Sequence, residues 1–283
     1  MTVTADRMPL KRVVLCADDF AVHEAASLGI ARLAAMGRIS ATSAMVLSPR
    51  WATDAPLLHD LRGQIDVGLH LDWTSHFAEA AGHGLTLGRA MVKGVLGGFN
   101  QAAARVIIER QLDAFEAEWK APPDHVDGHQ HVQQFAGIRE ALIETLVRRY
   151  AHPTGTSHTT HSKPYVRVSR APPGHADFKS RIISGMGANA LITIANNVYP
   201  MWANALFGTY DFAGTMSDYA RRMAHWLQHA PERTIIMCHP AQIVVPGDSI
   251  GAARAREFAY LSGDGFATAL AHYHTRLVTG GNW

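Results

Sequence analysis

The segment Val13-Val14-Leu15-Cys16-Ala17-Asp18-Asp19-Phe20 runs β-branched and apolar residues straight into two adjacent carboxylates. A short apolar run closed by polar residues reads as a buried strand of a parallel sheet. In such sheets chemistry gathers where strands end, because the loops there vary while the strands hold them rigid. Two ionised carboxylates side by side repel. One is therefore expected to hold a cation and the other to act as a base with a shifted pKa. Taken alone, the pair would serve equally well as a helix N-cap.

Three further strand-like segments end in ionisable groups: Ile65–Asp72 with His70 and Asp72, the short strand edge His125–His131 with Asp127, His129 and His131, and the apolar run Thr234–Pro240 with His239. A strand is also expected at 41–47, another at 164–168 and a last one at 276–279. Helical patterning covers Glu24–Met36, the stretch from Pro49 to Leu61, Ala102–Trp119, Ile138–Tyr150, most of 176–230 with a break near Pro200, and two C-terminal stretches. Residues 74–100, rich in glycine, read as a long active-site loop. Repeated strand–helix units predict an α/β fold, a barrel-like single domain of seven or eight parallel strands spanning residues 1–283.

Composition excludes several classes. The 283 residues are 47% hydrophobic and 18% charged with a net charge of +2, and no basic block points to nucleic acid. Cys16 and Cys238 lie in apolar runs and read as buried thiols. No apolar run reaches the ~18 residues of a membrane span, and no signal-peptide core is visible at the N-terminus. The expected location is the cytoplasm, with room for a peripheral encounter with the inner membrane face.

In a parallel sheet the four strand ends share one face, so their ionisable groups should converge. With 17 histidines in the chain a lone imidazole says little, but four strand-end coincidences say more. One carboxylate and two imidazoles suit a divalent cation with positions left open, and Asp19, His70 and His129 are read as its ligands. His131, two residues beyond His129, would share its side of an extended strand and serve as alternate ligand or neighbour. Asp18 is placed to take a proton from water and His239 to protonate a departing group. Asp72 and Asp127 are expected to orient the imidazoles.

The motifs Ala17-Asp18-Asp19-Phe20, Val67-Gly68-Leu69-His70-Leu71, His125-Val126-Asp127-Gly128-His129-Gln130-His131-Val132 and Met237-Cys238-His239-Pro240, in this order, resemble the YdjC-like (ChbG/HpnK-type) carbohydrate deacetylases. The resemblance spans about residues 12–240. It implies a distorted barrel-like α/β fold and metal-dependent removal of an N-acetyl group from an amino sugar, with the same five residues in the same roles. It also places Arg167 where relatives carry an arginine that would steady Asp18; the alternative is a surface arginine after a strand. Two positions depart from the pattern: Ala21 replaces the usual glycine, and Gln133 stands where a histidine is often found. Trp73 and Tyr210 are candidate sugar-stacking aromatics or core residues. The apolar stretch Ile182–Phe212, with Met186, Leu191, Ile192, Ile194, Val198, Trp202, Leu206 and Phe207, is either a groove for a lipid-linked sugar or an ordinary helical flank.

The expected cofactor is one divalent metal ion, Zn²⁺ or Mg²⁺, with Co²⁺ or Ni²⁺ also suited to the donors. The expected substrate is an N-acetylglucosamine-bearing oligosaccharide or glycolipid such as an N-acetylglucosaminyl hopanoid, and the resemblance admits a homodimer. A metal-dependent phosphoesterase and a non-catalytic sugar-binding protein are the alternative readings.

Overall fold

The computed structural model describes residues 10–150, 163–202 and 205–281. Nine strands form its sheet: β1 (Lys11–Phe20), β2 (Ala41–Ala44), β3 (Asp66–Leu71), β4 (His125–Gly128), β5 (Tyr165–Arg167), β6 (Met201–Trp202), β7 (Ala205–Phe207), β8 (Thr234–Cys238) and β9 (Thr275–Leu277). Every pairing is parallel, in the order β6-β5-β4-β3-β2-β1-β8-β7, with β9 joining the start of β1. The two ends of that path, β6 and β7, are nearly consecutive in the chain, and the sheet curls into a distorted half-barrel surrounded by helices.

β1 lies between β2 and β8, and Val13 to Phe20 are all buried. That burial on both faces accounts for its unbroken apolar run. Cys16 and Cys238, aligned one residue apart across β1 and β8, are buried free thiols. Among the described residues no helix is long and apolar enough to cross a membrane.

The end of β1 is irregular. Cys16 and Ala17 pair with Ala41 and Thr42, but the next partner pair is Phe20 with Ala44, so β1 carries one extra residue there. Asp19 adopts φ 66° inside this bulge. In a regular strand Asp18 and Asp19 would point to opposite faces. The bulge breaks the alternation, and both carboxylates reach one cavity.

Ala21, two residues on, also sits in the left-handed region at φ 70° and is fully buried. A side chain there costs about 1–2 kcal/mol, against about 0.4–1 kcal/mol of unfolded-chain entropy that a glycine would add. Ala21→Gly is therefore expected to stabilise the fold by about 0.5–1 kcal/mol. A higher urea midpoint at unchanged slope would show it; an equal or lower midpoint would mean that the turn is not strained.

The structure departs from the sequence reading in three places. The 74–100 region contains two helices, His76–Ala80, capped by the Ser75 hydroxyl, and Leu87–Val95. The 49–61 stretch is an α-turn at Trp51–Asp54 followed by a 3₁₀ helix at Ala55–Leu61. In 176–230, β6 and β7 interrupt helices Phe178–Gly185, Ala188–Ala195 and Met216–His229. Strands of two and three residues carry no readable periodicity.

Candidate active site

The ends of β1, β3, β4 and β8 open into one cavity of about 720 Å³. Asp18, Asp19, His70, His129, His131 and His239 all line it. His70 and Asp127 are register partners on β3 and β4, and His70 Nδ1 lies 2.6 Å from Asp127 Oδ1. This leaves Nε2 turned toward Asp19, 3.3 Å from its Oδ1. β4 stops at Gly128, where a Cβ would sit 2.8 Å from Gln133 Oε1. His129 then swings in from the first residue after the strand, its Nδ1 3.2 Å from the same Asp19 oxygen.

Asp18 is held differently. Arg167 on β5, 1% exposed, donates from Nη1 and Nη2 to the two Asp18 oxygens at 2.7 and 2.8 Å. Its Nη1 also lies 3.0 Å from Asp127 Oδ2. Burial is the largest influence and would raise the Asp18 pKa, but the Arg167 charge and hydrogen bonds, with the His70 charge, together outweigh it and the carboxyl is lowered. A surface position for Arg167 is thus excluded. His239 follows β8 with its backbone N–H 2.5 Å from Glu257 Oε2 and its ring edge-on to Phe212. Burial drops His239 to about 4, so its resting ring is neutral.

These donors fit a divalent cation. An Asp oxygen and two imidazole nitrogens converge within 4.8 Å of one another, a mixed oxygen and nitrogen set that suits Zn²⁺, Co²⁺ or Ni²⁺. The charge also fits. Three buried carboxylates, Asp18, Asp19 and Asp127, face two buried guanidiniums, Arg167 and Arg254. An uncompensated buried negative charge is costly. Against burial, the surrounding carboxylates, Asp127 foremost, raise His70 to about 10. They hold a proton there as they would hold a metal ion.

A model of the family described as YdjC-like protein matches residues 12–272. The chain belongs to the YdjC-like family. A curated mouse relative named carbohydrate deacetylase is 29% identical over 150 residues, a match that spans about half of either protein, 49% of this chain and 48% of the mouse one. Among solved structures, an Enterococcus faecalis protein with a proposed role in cellobiose-phosphate cleavage shares the fold, with TM-score 0.70, 18% identity, and coverage of 96% of this chain and 98% of that one. The Xyl-CE4 domain of a multidomain xylanase from the hindgut metagenome of Trinervitermes trinervoides has TM-score 0.50, 9% identity, and coverage of 96% and 89%.

Several expected positions lie elsewhere in this YdjC-like chain. His131 does not share a strand face with His129, because β4 has ended and Gln130 and His131 both take left-handed φ. Its Nδ1 lies 2.9 Å from Ser169 Oγ instead. Asp72 orients no imidazole with its carboxylate; it accepts from the backbone N–H groups of Thr74 and Ser75 and from the Ser75 hydroxyl, tying down the start of helix His76–Ala80. Trp73 and Tyr210 are buried in the core, and Tyr210 donates to Glu257. Of the 182–212 stretch, Ile182, Ile183, Met186 and Phe212 line the cavity, whereas Leu191, Leu206 and Phe207 are core. The Trp202 side chain lies outside the described residues. Gln133 is buried, donating to the Arg167 carbonyl at 3.0 Å and to Ser169 Oγ at 3.2 Å.

Two residues of the helix Gly251–Ser262 complete the site and were not anticipated. Arg254 donates from Nη2 to Asp19 Oδ2 at 2.7 Å and from Nε to Asp248 Oδ2 at 2.8 Å. It leaves Asp19 Oδ1 to the imidazoles and, with their hydrogen bonds, holds the carboxyl well below its usual range despite burial. Glu257, one turn on, fixes the His239 backbone. A helical repeat puts Arg254 and Glu257 on the stripe of Ala253, Tyr260 and Leu261, all buried. Opposite charges inside an apolar stripe were the available signal.

Burial pushes Glu257 up to about 7 from 4.5, against the hydrogen bonds from Tyr210 and His239 N–H. An acid with a raised folded-state pKa binds its proton more tightly folded than unfolded. The stability it supports is thus present below the unfolded value and lost as pH rises toward 7, a loss of about 3 kcal/mol. Glu257→Gln keeps a donor and an acceptor without the charge. Its stability relative to the parent chain is expected to rise by about that amount between pH 4 and pH 8, measured by urea unfolding; parallel curves would contradict it.

Proposed function

We propose that this chain is a metal-dependent hydrolase that removes the N-acetyl group from an N-acetylglucosamine-type sugar. The observation that carries this reading is the placement of Asp18 and His239 in the cavity on which Asp19, His70 and His129 converge. A divalent cation held by those three residues would supply Lewis-acid polarisation of the acetyl carbonyl and a lowered pKa for water. Asp18, kept ionised by Arg167, accepts the proton of the attacking water; its Oδ1 also takes the Ser43 hydroxyl at 3.3 Å, and Oδ2 retains a second lone pair for this. His239 carries a proton to the sugar nitrogen, which leaves poorly as an anion. Its ring starts neutral, so it must first gain a proton, and the one that Asp18 has accepted is a local source. Glu257 fixes the His239 backbone, and Phe212 packs edge-on against the ring. Acetate and a free amino sugar result.

The cavity wall favours a substrate with an apolar portion. Leu87, Met91, Phe135, Ile182, Ile183 and Met186 line it beyond the ionisable groups. A lipid-linked amino sugar uses that wall; a short chitin-type oligosaccharide uses only the polar floor. A phosphoesterase would need free cations to clamp a phosphate. Arg167 and Arg254 are both committed to carboxylates, and Lys179 donates to the Tyr210 carbonyl at 2.8 Å.

The test offers the metal-loaded protein N-acetylchitooligosaccharides, an N-acetylglucosaminyl glycolipid and p-nitrophenyl phosphate side by side. Acetate release with a new free amine, higher kcat/KM on the glycolipid and no phosphate release are expected. Phosphate release without acetate would sink the reading in favour of the esterase, and sugar retention without turnover would make the protein a binder.

A further inference from the structure

Away from the cavity, three imidazoles meet at the surface. His225 and His229 stand four residues apart on helix Met216–His229 and so share one face. His175 comes onto them from the turn after Pro172-Pro173, closed by its N–H to the Pro172 carbonyl at 3.2 Å. Ring centroids lie 5.4 Å apart for His175 and His225, 3.9 Å for His175 and His229, and 4.4 Å for His225 and His229. One nitrogen from each ring falls within 4.8 Å of the other two.

A histidine pair one turn apart is ordinarily just a solvated helix face. Here a third ring arrives from a separate element, and one tautomer is already set. His229 Nδ1 lies 2.8 Å from the His225 carbonyl oxygen, so its N–H donates there and leaves Nε2 with a lone pair. Ligating histidines are oriented by such a bond on the other ring nitrogen. Burial, and then the neighbouring rings of His229 and His175, also lower His225, which favours the neutral form that binds metal.

We propose that His175, His225 and His229 form a second metal site, separate from the Asp19 centre, that takes a borderline cation such as Zn²⁺, Ni²⁺ or Cu²⁺. Three imidazoles and no carboxylate suit these ions and reject Mg²⁺, which demands oxygen ligands. A tetrahedral Zn²⁺ with bonds of ~2.0–2.1 Å needs nitrogens roughly 3.4 Å apart, a closure that rotation of the two exposed side chains supplies. The ion would join helix Met216–His229 to the turn that leads into helix Phe178–Gly185, which carries Lys179, Ile182 and Ile183 of the cavity wall. A metal there would brace that wall.

Zinc content measured after equilibrium dialysis tests this. His225→Ala and His229→Ala, both surface changes, should each lower bound zinc by one ion per chain relative to the parent protein. They should also remove part of the zinc-induced rise in unfolding temperature. His70→Ala should keep the ion that those two variants lose, which separates this site from the fate of the deacetylase reading. Magnesium should give no difference between the parent and His225→Ala. Unchanged zinc content in both surface variants, or equal loss of that ion in His70→Ala, would overturn the proposal.

Discussion

Asp18→Asn is expected to lower kcat by about 10²–10⁴, the range for loss of a general base, with metal content and KM close to those of the parent protein. Asparagine matches the shape of the carboxylate but cannot accept the proton. The change also removes one of two carboxylates facing Arg167, whose remaining ion-pair partner is Asp127 at 3.0 Å. Uncovering a buried guanidinium destabilises by up to about 3–5 kcal/mol, so rates should be normalised to the folded fraction. A fold defect alone lowers the active concentration and leaves kcat per folded molecule intact. An undiminished kcat would remove Asp18 from the chemistry.

His70→Ala is expected to have the larger effect on the cation. It deletes one of the three convergent donors and leaves Asp127 Oδ1 without its imidazole partner. Loss of an orienting partner alone typically costs 10–100-fold in metal affinity. Asp127→Asn should fall in that range, and His70→Ala should exceed it and reduce acetate release to background. The ordering matters more than either value. Equal, small losses in both variants would mean that His70 is a buried structural histidine and not a ligand.

Much of this site was legible because strand ends carry it. β1, β3 and β8 announce themselves as apolar runs and β4 as a short strand edge crowded with ionisable side chains, and Asp18, Asp19, His70, His129 and His239 stand at or just past their carboxyl ends. A parallel sheet gathers such ends without further information. The bulge that turns Asp18 and Asp19 to the same side was not legible, because it depends on pairing with β2 rather than on local pattern. His131 was misplaced for a related reason: the strand was extended past Gly128, where the backbone turns left-handed.

Arg254 stayed hidden because it reaches Asp19 across 235 residues of chain from the middle of a helix. Arginine in a helix ordinarily faces water, and only tertiary packing buries this one. Gln133, which stands where the resembled pattern often has a histidine, has a role that pattern did not show: its amide secures the carbonyl of Arg167, the residue that holds Asp18.

We propose that this chain hydrolyses an acetylated amino sugar with a cation held by Asp19, His70 and His129. The most direct measurement strips the protein of metal, resupplies Zn²⁺, Co²⁺ or Mg²⁺ singly, and follows acetate release from an N-acetylglucosamine-bearing substrate. The account predicts no release from stripped protein, restoration by at least one of the three ions, and no restoration in His70→Ala. Release that persists in the stripped protein, or no release with any ion bound, would contradict it.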